Sequence, residues 1–214
     1  MTPFGFIVGF APWIVFSVAA HRLAGNAVAW AALIAAAMAA VAVLVARRRH
    51  GPVILNVASL VLFGAIAVIG FVGGPPVDQW LYTWGRPLVG VILGLYLLVT
   101  APVRPFTEEY ARQSTPRQYW GSPTFRKINL VLSAAWGGAL AIIGAAGLLV
   151  TALDDLATDS SADHLADLLL NWVVPILIIW GMIKFTATYP DRVSGASESV
   201  PPGPADRRDH GMST

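Results

Sequence analysis

Arg86, Asp167, Asn56, Asn129 and Asn171 place strong polar chemistry inside otherwise apolar stretches of this chain. An unpaired arginine in hydrocarbon costs at least a few kcal/mol, although outward snorkelling of the side chain reduces that. Arg86 falls about two turns inside an apolar segment. Asp167 falls at a similar depth near the start of another, so the two are expected to approach one another. Three roles stay open for Arg86: an outward-snorkelling anchor, a structural ion pair, and a ligand or ion site. The three asparagines are uncharged candidates for interhelical hydrogen bonds, worth roughly 0.6–2 kcal/mol each in a bilayer.

Other reactive groups do not assemble into a catalytic pattern. His21, His50, His164 and His210 lie in separate connections or tails, without metal-ligand spacing. Glu108 and Glu109 are adjacent, and adjacent helical residues do not face each other. Asp154 and Asp155 read as solvated residues of an acidic loop. There is no cysteine, no glycine-rich phosphate loop and no nucleophile elbow. No catalytic, metal-binding or cofactor-binding residue is therefore assigned, and a non-enzymatic protein is expected. A net charge of +2 without a basic, aromatic-interleaved stripe argues against nucleic acid as a partner.

The elements that must position these residues are apolar and long. Segments near 4–20, 26–46, 53–72, 79–101, 127–150 and 165–187 each approach the roughly 20 residues that cross a hydrocarbon core. Only a helix satisfies its own backbone hydrogen bonds across that distance in one segment. Charged residues are 12% of the chain, against about 25% in soluble domains. The expected fold is all-α: a polytopic integral membrane protein, a bundle of six transmembrane helices over 1–189. A disordered cytoplasmic tail, rich in Pro, Gly, Ser and charge, is expected over 190–214. The start, Met1-Thr2-Pro3-Phe4, lacks the basic region of a signal peptide, so the first apolar stretch is expected to be retained.

Charge between the segments sets their orientation. Arg47, Arg48 and Arg49 follow the second; Arg104, Arg112, Arg117, Arg126 and Lys127 follow the fourth; Lys184, Arg192, Arg207 and Arg208 close the chain. Basic residues near span ends stay on the cytoplasmic side. That side then holds twelve of the fourteen basic residues, leaving Arg22 and Arg86, and both termini are cytoplasmic. Arginine outnumbers lysine twelve to two, a usage associated with GC-rich bacterial genomes.

The connection 102–126 is the most distinctive soluble segment. Phe106-Thr107-Glu108-Glu109-Tyr110-Ala111-Arg112-Gln113 reads as a short helix with Thr107 as its cap and two glutamates at its positive end. Lying along the membrane surface, it would put Phe106, Tyr110 and Trp120 in the interface and Arg104, Arg112 and Arg117 toward anionic head groups or a docked partner. A plain topology anchor is the alternative reading. Asp78 is expected to cap the fourth span behind Pro75 and Pro76, and Ser122 with Pro123 to open the fifth. Pro12, Pro87 and Pro175 are expected to kink their helices. Gly90 with Gly94, and Gly137 with Ala141 and Ala145, have the four-residue spacing that lets helices approach closely.

The order of these features resembles the intracellular septation protein A family (YciB-like) of bacterial inner-membrane proteins. The likeness runs from Phe10 to about Gly147. A Phe/Pro-containing first helix precedes a second that ends in basic residues. Trp84-Gly85-Arg86-Pro87 is similar to the family's basic-Pro element, and Phe125-Arg126-Lys127-Ile128-Asn129 with Trp136 is similar to its tryptophan-bearing fifth helix. Ala145-Ala146-Gly147 stand where members carry an Asn-Glu pair. The resemblance implies a structural or interaction role in envelope maintenance or division, in the bacterial inner membrane. Partners would be the lipid bilayer and envelope or division membrane proteins, with homo-oligomers also open. A small transporter or channel using Arg86, Asp167 and proline-broken helices is the alternative.

Overall fold

The computed structural model describes residues 11–19, 26–49, 53–156 and 168–198. Among these the chain is helical, with no strand. The α-helices are α1 Ala11–Ala19, α2 Ala27–Arg49, α3 Ile54–Trp80, α4 Arg86–Thr100, α5 Phe106–Ala111, α6 Pro123–Leu156 and α7 Val174–Glu198. Single π-helical turns occupy Leu81–Gly85 and Leu169–Val173, and a 3-10 turn occupies Arg117–Tyr119. The all-α class expected from the sequence holds. Ala27–Arg48, Ile54–Gly85 and Pro123–Leu153 are long and apolar enough to cross a membrane.

Helix α2 is packed small side in, large side out. Ala29, Ala32, Ala35 and Ala39 are fully buried, while Trp30, Leu33, Val41 and Leu44 are 42–61% exposed. A water-soluble core would bury the leucines, because burial of apolar area drives its folding. In lipid that drive between helices is absent, and small residues that permit close contact occupy the interface instead. The arrangement of α2 is therefore that of a membrane helix.

Helix α3 is divided at Gly74, whose φ of 68° and ψ of −166° break the helical run. That positive φ suits glycine, which has no Cβ to clash. Pro75 and Pro76 then open the second arm, where their missing N–H groups would have no acceptor anyway. The arms run back along each other. Leu55 packs in one cluster with Leu93 and Leu97, and Phe63, Ile66 and Ala67 share another with Leu81 and Val89. The turn expected at Gly73-Gly74-Pro75-Pro76 is where the chain reverses.

The expectation for Asp78 is corrected. It does not cap its own helix. Its carboxylate accepts from Ala29 N at 2.9 Å and Val28 N at 3.4 Å, at the N-terminus of α2. The two prolines explain this, since the second arm already begins at Pro75 and Asp78 lies inside its first turn. Ser122, by contrast, accepts from Phe125 N at 3.2 Å, and α6 starts at Pro123.

The α4–α6 contact is close enough to exclude side chains. A Cβ on Gly94 would lie 2.4 Å from Ala141 N, and one on Gly144 2.5 Å from Val91 N. Gly137 faces the Gly94 carbonyl in the same seam. The glycines picked out by spacing thus meet, with Gly144 completing the seam one position before Ala145.

Pro87 and Pro175 produce π turns. A proline ring collides with the carbonyl four residues back, which here belongs to Thr83 and Asn171. Each lies in the middle of a π-helical turn, Leu81–Gly85 and Leu169–Val173. Widening the helix by one residue moves that carbonyl aside, so the strain is absorbed locally.

Several expected boundaries shift. Helix α6 runs through Asp154 and Asp155 to Leu156, so these are not loop residues. Helix α7 continues through Pro190 to Glu198, past the expected start of the tail. Residues 199–214 and Asp167 lie outside the described residues, as do the side chains of Arg86 and Asn171. The expected approach of Arg86 to Asp167 therefore falls outside them too.

Candidate interfacial cleft

The connection between α4 and α6 is folded against the bundle. Pro105 takes an extended conformation with ψ of 122°, and α5 begins directly after it. Thr107 is not the cap of α5. Fully buried, its hydroxyl donates to the Asn129 carbonyl at 2.9 Å and lies 2.9 Å from Ser133 Oγ, while its N–H donates to Ser133 Oγ at 3.2 Å. These bonds pin α5 to α6.

Phe106 and Tyr110 differ from expectation for the same reason. They are 1% and 5% exposed and join Leu55, Leu97 and Trp136 in the core. Their four-residue spacing marks one apolar face, and that face turns inward, not toward the bilayer surface. Burial pushes the Tyr110 phenol far above its ordinary range, and the adjacent Glu109 charge adds to the effect.

Glu109 reaches the opposite way. Its Oε2 accepts from Val53 N at 2.7 Å and Ile54 N at 2.8 Å, satisfying the first amides of α3. Val53 has no side chain able to cap, so those amides need an outside acceptor. A carboxylate at a helix N-terminus also complements the helix dipole. The signal was legible in part: Gly51-Pro52-Val53 offers no side-chain cap, but nothing local names Glu109 as the acceptor that closes these amides.

With one face buried, the other carries the charge. Arg112 pairs with Glu108 one turn away, and Arg104 lies 3.5 Å from Glu109. The guanidiniums of Arg112 and Arg117 stand 4.9 and 5.7 Å from the Trp120 ring centre. Such stacking is worth about 0.5–1 kcal/mol at exposed sites. The Trp120 ring is itself held by an indole bond to the Thr115 carbonyl at 2.9 Å. Between these groups lies a cleft of about 350 Å³, whose lining includes Val103, Arg104, Arg112, Arg126, Glu108 and Trp120.

The sequence-predicted residues thus separate. Arg104, Arg112, Arg117 and Trp120 come together on the outside of the connection. Phe106 and Tyr110 enter the core. Asn56 and Asn129 are buried, 6% and 1% exposed. Asn129 donates from Nδ2 to the Phe125 carbonyl of its own helix at 2.9 Å, instead of bridging two helices through that amide. Among the described residues no three His, Asp or Glu side chains form a group able to hold a metal. No protein-family model, curated protein or solved structure matches the chain.

Proposed function

We propose that the chain is a non-enzymatic structural and interaction protein of the bacterial cytoplasmic membrane. It crosses the bilayer six times, with both termini inside, and serves envelope maintenance or division. The observation that supports this most is the construction of the 102–126 connection. Thr107 and Glu109 fix it to α6 and α3, and it holds Arg104, Arg112, Arg117 and Trp120 outward on a rigid base. A loop needed only as a charge anchor requires no such fixed frame. The resemblance to septation protein A argues for the envelope as the setting. Partners are other membrane proteins with acidic cytoplasmic segments.

Co-purification from gently solubilised membranes tests this reading without a guessed substrate. Replacing Arg104, Arg112 and Arg117 together by Ala is expected to remove the captured partners while the protein remains folded. Unchanged recovery of the same partners defeats the docking role.

The two π turns favour a second reading, a small carrier or channel. They interrupt the helices beside Arg86 and Asn171, and irregular helix in membranes is tolerated where it lines a path. Proteoliposomes no leakier to ions and small solutes than empty vesicles would remove it. Leak altered by Arg86→Ala or Asp167→Asn would raise it above the first.

A further inference from the structure

We infer that the cleft beneath Trp120 is a binding site for one anionic glycerophospholipid, with its phosphodiester on Arg126 and Arg104. Three observations meet there. The first is charge. The lining carries three guanidiniums, Arg104, Arg112 and Arg126, against the two carboxylates Glu108 and Glu109, so one positive charge is left over; Glu108 pairs with Arg112 and Glu109 with Arg104. The Arg126 side chain makes no ion pair with a described residue, and Arg104 has only a 3.5 Å contact and a 71% exposed side chain. Guanidinium forks match phosphate oxygens in geometry and charge.

The second is an apolar track that ends at the cleft. Ile92, Tyr96, Val99 and Val103 recur at spacings of four, three and four along one face of α4 and its extension. They are 48, 38, 74 and 87% exposed. Val103 lines the cleft itself. An acyl chain lying on this stripe delivers its head group to Arg104 and Arg126. A soluble phosphate compound or an acidic peptide has no use for the stripe. The third is size: about 350 Å³ is at the small end of ligand clefts, which run from about 300 to 1,000 Å³. That holds a head group but not a folded segment.

The inference rests on the proposed membrane function and on the connection lying along the membrane surface, as expected from the sequence, but not on the docking of a protein partner. Native mass spectrometry of the detergent-solubilised full chain tests it. Phosphatidylglycerol and phosphatidylcholine with identical acyl chains are titrated separately. One phosphatidylglycerol is expected to bind about tenfold more tightly than phosphatidylcholine. Arg126→Gln is expected to abolish the preference, and Arg126→Lys, which keeps a charge, to retain most of it. Equal binding of the two lipids, or full preference in Arg126→Gln, overturns the site. Displacement of phosphatidylglycerol by millimolar inorganic phosphate assigns the cleft to a soluble phosphate compound instead, and displacement by a poly-glutamate peptide assigns it to a protein; either overturns the inference. Partner capture that still depends on Arg117 while lipid preference is absent leaves the docking role standing and removes the lipid site alone.

Discussion

Glu109 and Asp78 perform the same task at opposite ends of the bundle. Each carboxylate closes two backbone amides of a helix that is not its own. Charge-assisted hydrogen bonds of this kind contribute about 1.5–3 kcal/mol each, net of the water bonds they replace. Glu109→Gln keeps shape and one acceptor oxygen but loses the charge, and is expected to destabilise the fold by about 1–2 kcal/mol. Denaturation in mixed micelles followed by circular dichroism measures this; an unshifted midpoint would mean that the cap is energetically idle. Tyr110 gives a pH-dependent signature. Its raised pKa keeps the phenol protonated in the folded protein where the unfolded chain would ionise, above about pH 10. The unfolded state then binds fewer protons, so stability falls as pH rises past that point. Tyr110→Phe is expected to flatten the alkaline limb of a thermal-melting profile relative to wild type while leaving the profile near neutrality in place.

Among elements, the α4–α6 seam is the most sensitive to side-chain size. Gly144→Ala puts a methyl 2.5 Å from Val91 N and 2.7 Å from the Pro87 carbonyl, both backbone atoms that cannot swing away. The helices must part, and a loss of about 1–3 kcal/mol is expected. Gly138→Ala on the same helix meets nothing within 4 Å and is expected to be neutral or slightly stabilising. Equal melting temperatures for the two variants would show that the seam is not a tight contact. The close approach was readable in part: Gly90, Gly94, Gly137 and Ala141 were marked by spacing, because backbone approach needs small residues at regular intervals. The inward turn of Phe106 and Tyr110 was not readable. An aromatic pair four apart has one apolar face whether it meets lipid or a bundle, and only the partners Thr107 finds on α6 decide between them. The π turns were also hidden, since a proline signals disturbed hydrogen bonding but not whether the helix bends or widens.

For the whole molecule, the apolar runs fixed the all-helical class, and glycine with proline marked the reversal within α3 at Gly74, because both signals are local. Long-range capping is not local, so the destinations of Asp78 and Glu109 could not be inferred from neighbouring residues. The arrangement across the bilayer is open to direct test, helped by the absence of native cysteine. Single cysteines at Ser114 and at Val72, both exposed, are expected to react with membrane-impermeant maleimide from opposite sides: Ser114→Cys only after the cells are opened, Val72→Cys or its neighbour Gly73→Cys in intact spheroplasts. Labelling of both from one side would dismantle the proposed six-span arrangement, and exchanged sides would reverse its orientation.

The long reach of the two carboxylate caps also has a temporal meaning. Asp78 is 49 residues downstream of the Ala29 amide it closes, and Glu109 is 55 downstream of Ile54. A ribosome must add that much chain before either helix start is sealed. Until then the nascent α2 and α3 each carry two bare amides, at opposite ends of the bundle, that only solvent can serve. The two helix starts therefore stay open until their carboxylates arrive, α2 closing first with Asp78 and α3 only once Glu109 has emerged.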